Sequence, residues 1–543
     1  MNAPIHSLLN WIDRNILELG REMRLSYLPP LMVYVAAGVS GLTGIVGTFF
    51  VKEQLGLSAA LLASLGFWAV IPWSLKMVIG HFVDLVWQWK GALVFFGAGL
   101  IALSLLIMVG LLGHREAMAA ILPANTWFVI STLLSPVGYV VQDAVADAMT
   151  VEAVPLVDEK GRAIDGETSK LMHTTMQTLG RVAIIGGSVL VAMINLYMFA
   201  GVPALPGPEK LLVYSNVYAM ALVIPLISVL GVISAALLQR RDHNRLVAGG
   251  MSAQQAASTL DRHAQTTKPN WWILGGGLLF VVFTLAVGLS DFKYSQELVF
   301  AGSFAIVVFL IGRLTRALAP EARATLVGTA IVIFIYRAVP SPGPGATWWM
   351  IDELNFDGQF LSVLSLIASA LTLAGMFLFR RFMAERSIAY VIGFLTICGF
   401  VLSLPTLGMY YGLHHWTAAL TNGVVDARFI ALIDTALESP LGQIAMIPML
   451  AWIARSAPAD LKATYFAIMA SFTNLALSLS QLGTKYLNQW FVVAREVKDP
   501  AGAVQTAANY VQLGDLLIAS MAIGLVLPFA AIVFARVSKF KSV

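Results

Sequence analysis

The chain alternates between long apolar runs and short polar breaks. Most runs are about 20 residues long, the length a helix needs to cross the hydrocarbon of a bilayer. The pattern predicts fourteen spans, near 27–50, 61–86, 91–113, 120–149, 171–199, 211–238, 271–290, 297–318, 324–340, 357–379, 387–408, 427–454, 461–490 and 510–536. Residues 1–26 read as an amphipathic cytoplasmic segment, with Leu8, Trp11, Ile12, Ile16 and Leu19 set against Asp13, Arg14, Glu18 and Arg21. Such a segment lies on the membrane surface or packs on the protein as a terminal helix. The first span follows without a small-residue cleavage site, so no cleavable signal peptide is expected.

Charge gives the expected orientation. With the N-terminus in the cytoplasm, 23 of the 34 basic residues fall in cytoplasmic segments and six fall outside: Lys52, Arg115, Lys210, Lys293, Arg495 and Lys498. This positive-inside bias favours an even number of spans and cytoplasmic termini. The longest polar interruption, 239–270, divides six spans from eight. A natural arrangement is a six-helix bundle over 27–238, a cytoplasmic linker, two inserted helices over 271–318, and a second six-helix bundle with a short tail over 319–543. The inserted pair is poor in polar groups, as suits peripheral, lipid-facing helices. Two six-helix halves around a central cavity is the major facilitator architecture.

Composition supports an all-α polytopic membrane protein. Hydrophobic residues make up 58% of the chain and charged ones 12%, where about 25% is usual for soluble domains. Mean hydropathy is +0.79. The single cysteine, Cys398, excludes intramolecular disulfides and cysteine-rich metal sites. The net charge of +4 is no nucleic-acid signal. No phosphate-binding Gly-Lys-Ser/Thr loop is present, and no hydrolase or zinc-protease motif. No cofactor or metal is expected, and His414-His415-Trp416 reads as an interfacial loop.

Ionisable residues in hydrocarbon are costly and face a cavity or a partner. In the second span Lys76, Gly80 and Asp84 recur every four residues and share a stripe. Gly80 would allow a close helix contact, and Asp84 would act as a gating latch. Lys76 either holds an anionic substrate or pairs with Asp143 or Asp147. Those two carboxylates, four apart in the fourth span, either carry protons or pair with Lys76 or Arg181. Arg181 offers a planar fork suited to carboxylates. In the twelfth span Asp434 and Glu438 repeat the four-residue spacing. Asn474, Ser478, Gln481 and Lys485 fall on one face of the thirteenth, suggesting a polar cavity.

Several separated stretches resemble the folate–biopterin transporter family of the major facilitator superfamily. The first is FFVKEQLGLSAALLASLGFWAVIPWSLKMVIGHFVD at 49–84, with its Pro-Trp-x-x-Lys and Gly-x-x-x-Asp. The others are DAVADAMTVE at 143–152, the Ala-x-Pro-Ser and aromatic run at 338–369, and the segment 433–483. Met77 stands where the family pattern has proline, and the basic cluster after Asp84 is reduced to Lys90. The resemblance places 324–340 as the first span of the second half. It carries over onto Lys76, Asp84, Asp143, Asp147, Glu152, Glu438 and Asn474. It implies a secondary active transporter in the plasma membrane, not an enzyme, working by alternating access on a small organic anion, folate or a pterin among them. In that expectation Lys76, Arg181, Glu438 and Asn474 bind substrate, Asp143 and Asp147 couple to protons, and Asp84 and Gly80 gate. The Gln-Asp-x-x-x-Asp-Ala motif also resembles that of muropeptide permeases. A non-transporting receptor or assembly factor on the same fold is the other reading. Its oligomeric state is not set by these features.

Overall fold

Eleven helices among the described residues are long and apolar enough to cross a membrane. They are α1 (Leu25–Leu55), α2 (Ala59–Leu85), α3 (Trp87–Gly113), α4 (Ala124–Ala153), α5 (Gly166–Ala204), α6 (Gly207–Ala248), α7 (Trp271–Gly288), α8 (Ser295–Arg313), α11 (Gly358–Leu378), α12 (Ile388–Tyr410) and α15 (Leu513–Val537). Between them lie α9 (Pro320–Arg337), the short α10 (Pro344–Asp352), α13 (Ala427–Glu438) and α14 (Lys462–Trp490). The computed structural model describes residues 13 and 17–538, apart from 156–161, 163, 261–268, 291, 318, 380–381, 383–385, 443–461 and 499–503. Most of the amphipathic segment 1–26 and the later part of the span read at 427–454 lie outside those residues.

The helices assemble as the major facilitator fold. In one bundle α1 packs on α4, α5 and α6, and α3 packs on α4 and α6. In the other, α15 packs on α9 and α12, and α13 packs on α11 and α12. Two seams join the bundles, α2 against α14 and α5 against α11. Glycines set the closest approaches. A Cβ built on Gly38 of α1 would sit 2.2 Å from the Ile184 carbonyl oxygen of α5, and one on Gly97 would sit 2.7 Å from that of Gly138. Small residues let membrane helices approach backbone to backbone. Gly80 is not among them. Nothing lies within 4 Å of the place its Cβ would take, so the close contact expected there is corrected: α2 faces open space at Gly80.

The inserted pair lies along the α2–α14 seam. α7 packs on α2, where a Cβ on Gly277 would strike Val78, and α8 packs on α14. Its outer face is apolar and exposed, including Trp272, Leu278, Leu285 and Phe309. Its inner face is more polar than the pattern implied. Gln296 and Ser303 are buried, and Glu297 pairs with Lys485 of α14 at 3.0 Å. Lys485 therefore meets the inserted helix, not a central cavity.

Other features departed from the hydropathy pattern. α6 runs on to Ala248, a helix formed by Ala253–Leu260 follows, and both lie inside the segment read as a linker. α10 packs its Trp348 and Trp349 into the core. A small antiparallel ribbon, β1 (Val497–Lys498) with β2 (Val504–Thr506), precedes α15.

Candidate functional site

The site is built on a break in α2. Pro72 lies within the helix, and a second helical segment starts at Lys76. Proline removes a backbone donor and crowds the preceding turn. In an unbroken helix the Met77 N–H would bond the Trp73 carbonyl. Here Met77 donates instead to Ser471 Oγ of α14 at 3.0 Å, and the Trp73 carbonyl accepts from Asn474 Nδ2 at 3.2 Å. Neighbouring helices commonly re-satisfy backbone freed in this way. Asn474, expected to touch substrate, is thus committed to the α2 backbone. Its stripe partner Gln481 packs on Gly66 of α2. The stripe from Asn474 to Lys485 lines a helix seam, which corrects the cavity reading.

The break places Lys76 between two carboxylates of α4. Its Nζ lies 2.5 Å from Asp143 Oδ2 and 2.7 Å from Asp147 Oδ2. The helical spacing of four brings both acids to one ammonium. Tyr34 of α1 donates its hydroxyl to Asp147 Oδ1 at 2.6 Å. Its ring lies against Gly180, where a Cβ would come within 2.8 Å. The next residue, Arg181, lies within electrostatic reach of both aspartates. Two cations and two carboxylates make the cluster formally neutral. The two acids differ in access: the Asp147 side chain is 43% exposed and that of Asp143 16%. Tyr34 was missed in the sequence, where a tyrosine in an apolar run carries no signal.

The other expected residues are dispersed. Asp84 lies near His81, whose Nε2 accepts the Asn270 N–H at 2.9 Å. Glu152 pairs with Lys90, and both border a cavity of about 360 Å³ between the ends of α1, α3, α4 and α6. Glu438 lines a separate cavity between α11 and α13. Arg337, at the end of α9, is partly buried, with its Nε unpartnered among the described residues.

A second charged network was also passed over. Lys52, counted among the outer loop charges, is only 7% exposed. It closes α1 in a single π-helical turn, Val51–Leu55, and pairs with Asp352 at the end of α10 at 2.5 Å. Tyr510 donates its hydroxyl to Asp352 Oδ2 at 2.5 Å. Arg495 lies over the Trp348 ring and donates to the carbonyls of Lys52, at 2.9 Å, and Leu57. Burial, then the Asp352 hydrogen bond, pushes the Tyr510 phenol well above its ordinary value. These contacts tie the ends of α1 and α2 to the other bundle. The sequence signal was a lone lysine inside FFVKEQLGL.

The model of the BT1 family matches residues 37–542. The chain belongs to the BT1 family. It is 23% identical over 477 residues to a folate-biopterin transporter of Synechocystis sp. (strain ATCC 27184 / PCC 6803 / Kazusa), covering 88% of this chain and 77% of that protein. Among solved structures, a POT family transporter in complex with a thioalcohol-conjugated peptide superposes with a TM-score of 0.56 at 10% identity, covering 96% of each chain. The nucleoside transporter NupG superposes with a TM-score of 0.51 at 10% identity, covering 94% of this chain and 99% of that one. Family and fold together make the chain a multi-pass membrane transporter and not an enzyme.

Proposed function

We propose that the protein is a proton-coupled secondary transporter of a small organic anion, of the folate or pterin class, working by alternating access between its two bundles. The observation that carries this reading is Lys76 shared by Asp143 and Asp147. With both acids ionised, Lys76 and Arg181 are internally balanced. A proton on either acid removes one negative charge and leaves an excess cation for a substrate carboxylate. Departure of the anion would restore the pairing and release the proton. Proton and anion then favour each other's binding, which is reciprocal coupling between two sites. Arg181 supplies a bidentate match to a carboxylate. The name of the Synechocystis relative supports the substrate class. We place this activity in the plasma membrane with both termini cytoplasmic, on the distribution of basic residues.

The test is uptake of labelled folate and biopterin by cells expressing the chain, with and without a protonophore. Folate uptake should collapse with the proton gradient. Asp147→Asn should abolish accumulation against a gradient while leaving exchange of folate across the membrane. Asp147→Asn cells that accumulate folate at the wild-type rate and pH dependence would remove Asp147 from the coupling role.

A further inference from the structure

The inserted hairpin has one leg on each bundle. Its first leg, α7, follows α2 along its length. The Asn270 N–H, just before α7, donates to His81 Nε2 at 2.9 Å. A Cβ on Gly277 would strike Val78, and one on Gly288 would lie 2.8 Å from Trp68. The second leg, α8, packs on α14 of the other bundle. The Phe304 ring of α8 stands 5.4 Å from that of Phe334 of α9 and 6.2 Å from that of Phe472 of α14, centre to centre. The two legs are closely fitted to each other, since a Cβ on Gly302 of α8 would strike the Phe283 ring of α7. The first turn of α8 then divides its polar side chains between the bundles. Gln296, 6% exposed, donates to the Ser64 carbonyl of α2 at 3.3 Å and to the Ser64 hydroxyl. Its neighbour Glu297 pairs with Lys485 Nζ of α14 at 3.0 Å and accepts the Tyr486 hydroxyl. Ser64 stands near the start of α2 and Lys485 near the end of α14. That is the end of the molecule where Lys52 meets Asp352 and Arg495 meets the Lys52 and Leu57 carbonyls.

We propose that the inserted hairpin is a strap carried on α2, and that Glu297 is the catch that fastens it to α14 and holds the Lys52 end of the seam closed. This goes beyond the reading above: it uses alternating access between the bundles, and neither the substrate nor the proton. A motion that opens this end must part α2 from α14. The legs of the hairpin cannot part without undoing their fit at Gly302, and α7 is held to α2 at His81, Val78 and Trp68. The contact left to give at this end is the one between α8 and α14. There Glu297 and Lys485 are the charged pair, with side chains 26% and 14% exposed. Charge-assisted hydrogen bonds are the strong, directional ones, and this one is lost as its partners move apart. The Phe304–Phe472 contact lies nearer the middle of α14, where rocking displaces the helices least. A strap of this kind biases an equilibrium between two arrangements of the bundles and needs no ligand to do so.

The experiment uses full-length protein in lipid nanodiscs, without substrate, and measures distances between spin labels in a Cys398→Ser background. One pair is Ile121→Cys with Val424→Cys, exposed positions on opposite bundles at the Lys52 end. The other is Leu237→Cys with Leu378→Cys, exposed positions on opposite bundles at the far end. Glu297→Lys sets two cations against each other. It should raise the ratio of long to short distances in the first pair about tenfold, as for loss of a charged hydrogen bond, while the second pair shortens. Glu297→Lys/Lys485→Glu restores opposite charges and should return both pairs toward the wild-type distances. Glu297→Ala/Lys485→Ala strands no charge and should open the same end. An unshifted first pair in Glu297→Ala/Lys485→Ala would overturn the proposal, whether or not Glu297→Lys folds. So would lengthening of both pairs, which marks general loosening, and so would a charge swap that stays open. Absence of folate uptake by the wild type, with these distance changes intact, would remove the substrate reading and leave the strap standing.

Discussion

Replacing Lys76 with alanine should destabilise the protein more than replacing either aspartate it holds. The ammonium lies 2.5 Å from Asp143 and 2.7 Å from Asp147. Its loss leaves two carboxylates four residues apart on one helix face, without the cation between them. Removing one partner of a buried ion pair costs about 3–5 kcal/mol, most of it the uncompensated charge that remains. The Asp147 side chain is 43% exposed and can take up water. Tyr34 still donates to it and Arg181 remains within reach. The expected loss is therefore at the lower end, about 3 kcal/mol. Asp143→Asn leaves Lys76 paired with Asp147 and should cost about 1 kcal/mol, the worth of an ordinary hydrogen bond. The double variant Lys76→Ala/Asp143→Asn should be more stable than Lys76→Ala alone, because the second change removes one of the stranded charges. Thermal unfolding in a single detergent, followed by intrinsic fluorescence, measures all four proteins. The coupling between neighbouring sites appears as the departure from additivity. If Lys76→Ala melts no lower than Asp143→Asn, or if the double variant melts below Lys76→Ala, the cluster is not the balanced set described here.

Asp352→Asn strands Lys52, which is 7% exposed, and should lower the melting temperature. It should also raise maleimide labelling of a cysteine placed at Leu57 in a Cys398→Ser background; unchanged labelling would show that this network does not hold the two bundles together. Tyr510→Phe should cost the same near neutrality as at about pH 9, because a phenol whose folded value lies above the ordinary value of about 10 keeps its full contribution at any pH below that ordinary value. A loss that shrinks between those two conditions would contradict the raised value. Gly38→Ala should destabilise by about 1–3 kcal/mol through overpacking, since its Cβ would meet the Ile184 carbonyl at 2.2 Å, whereas Gly80→Ala should be silent. Equal melting of the two glycine variants would refute the assignment of the α1–α5 contact.

The membrane helices were readable because a lipid-embedded segment must be apolar over a fixed length, and that constraint is local. The pairing of Lys76 with α4 was readable as one of two options for the same reason: a charge in hydrocarbon needs a cavity or a partner, and few candidates exist. The parts that escaped are set by long-range packing. Lys52 and Asp352 are separated by 300 residues and meet only because α10 folds its tryptophans into the core. Tyr34 becomes polar in function only through Asp147. The helical extension beyond the span of α6 lies in a polar segment, where apolar periodicity gives no guide to its end.

The stripe Asn474–Ser478–Gln481–Lys485 shows where sequence reasoning about membrane transporters has a physical limit. A polar stripe on a membrane helix has two stable solutions. It can line a wet cavity, or it can satisfy polar groups of an adjacent helix. Both keep the stripe away from lipid, so both leave the same four-residue period in the sequence. They differ only in what stands opposite, and here that is a broken backbone at Trp73 and Met77, the close approach at Gly66, and Glu297 on an inserted helix. On the Lys76 stripe of α2, Lys76 meets the two carboxylates of α4 and open space lies beside Gly80. The two stripes belong to helices that pack on each other, yet one is spent on the seam and the other brings Lys76 to the carboxylates of α4. That division follows from the break after Pro72. An unbroken α2 would bond its own backbone, and Asn474 and Ser471 would have no backbone groups there to satisfy.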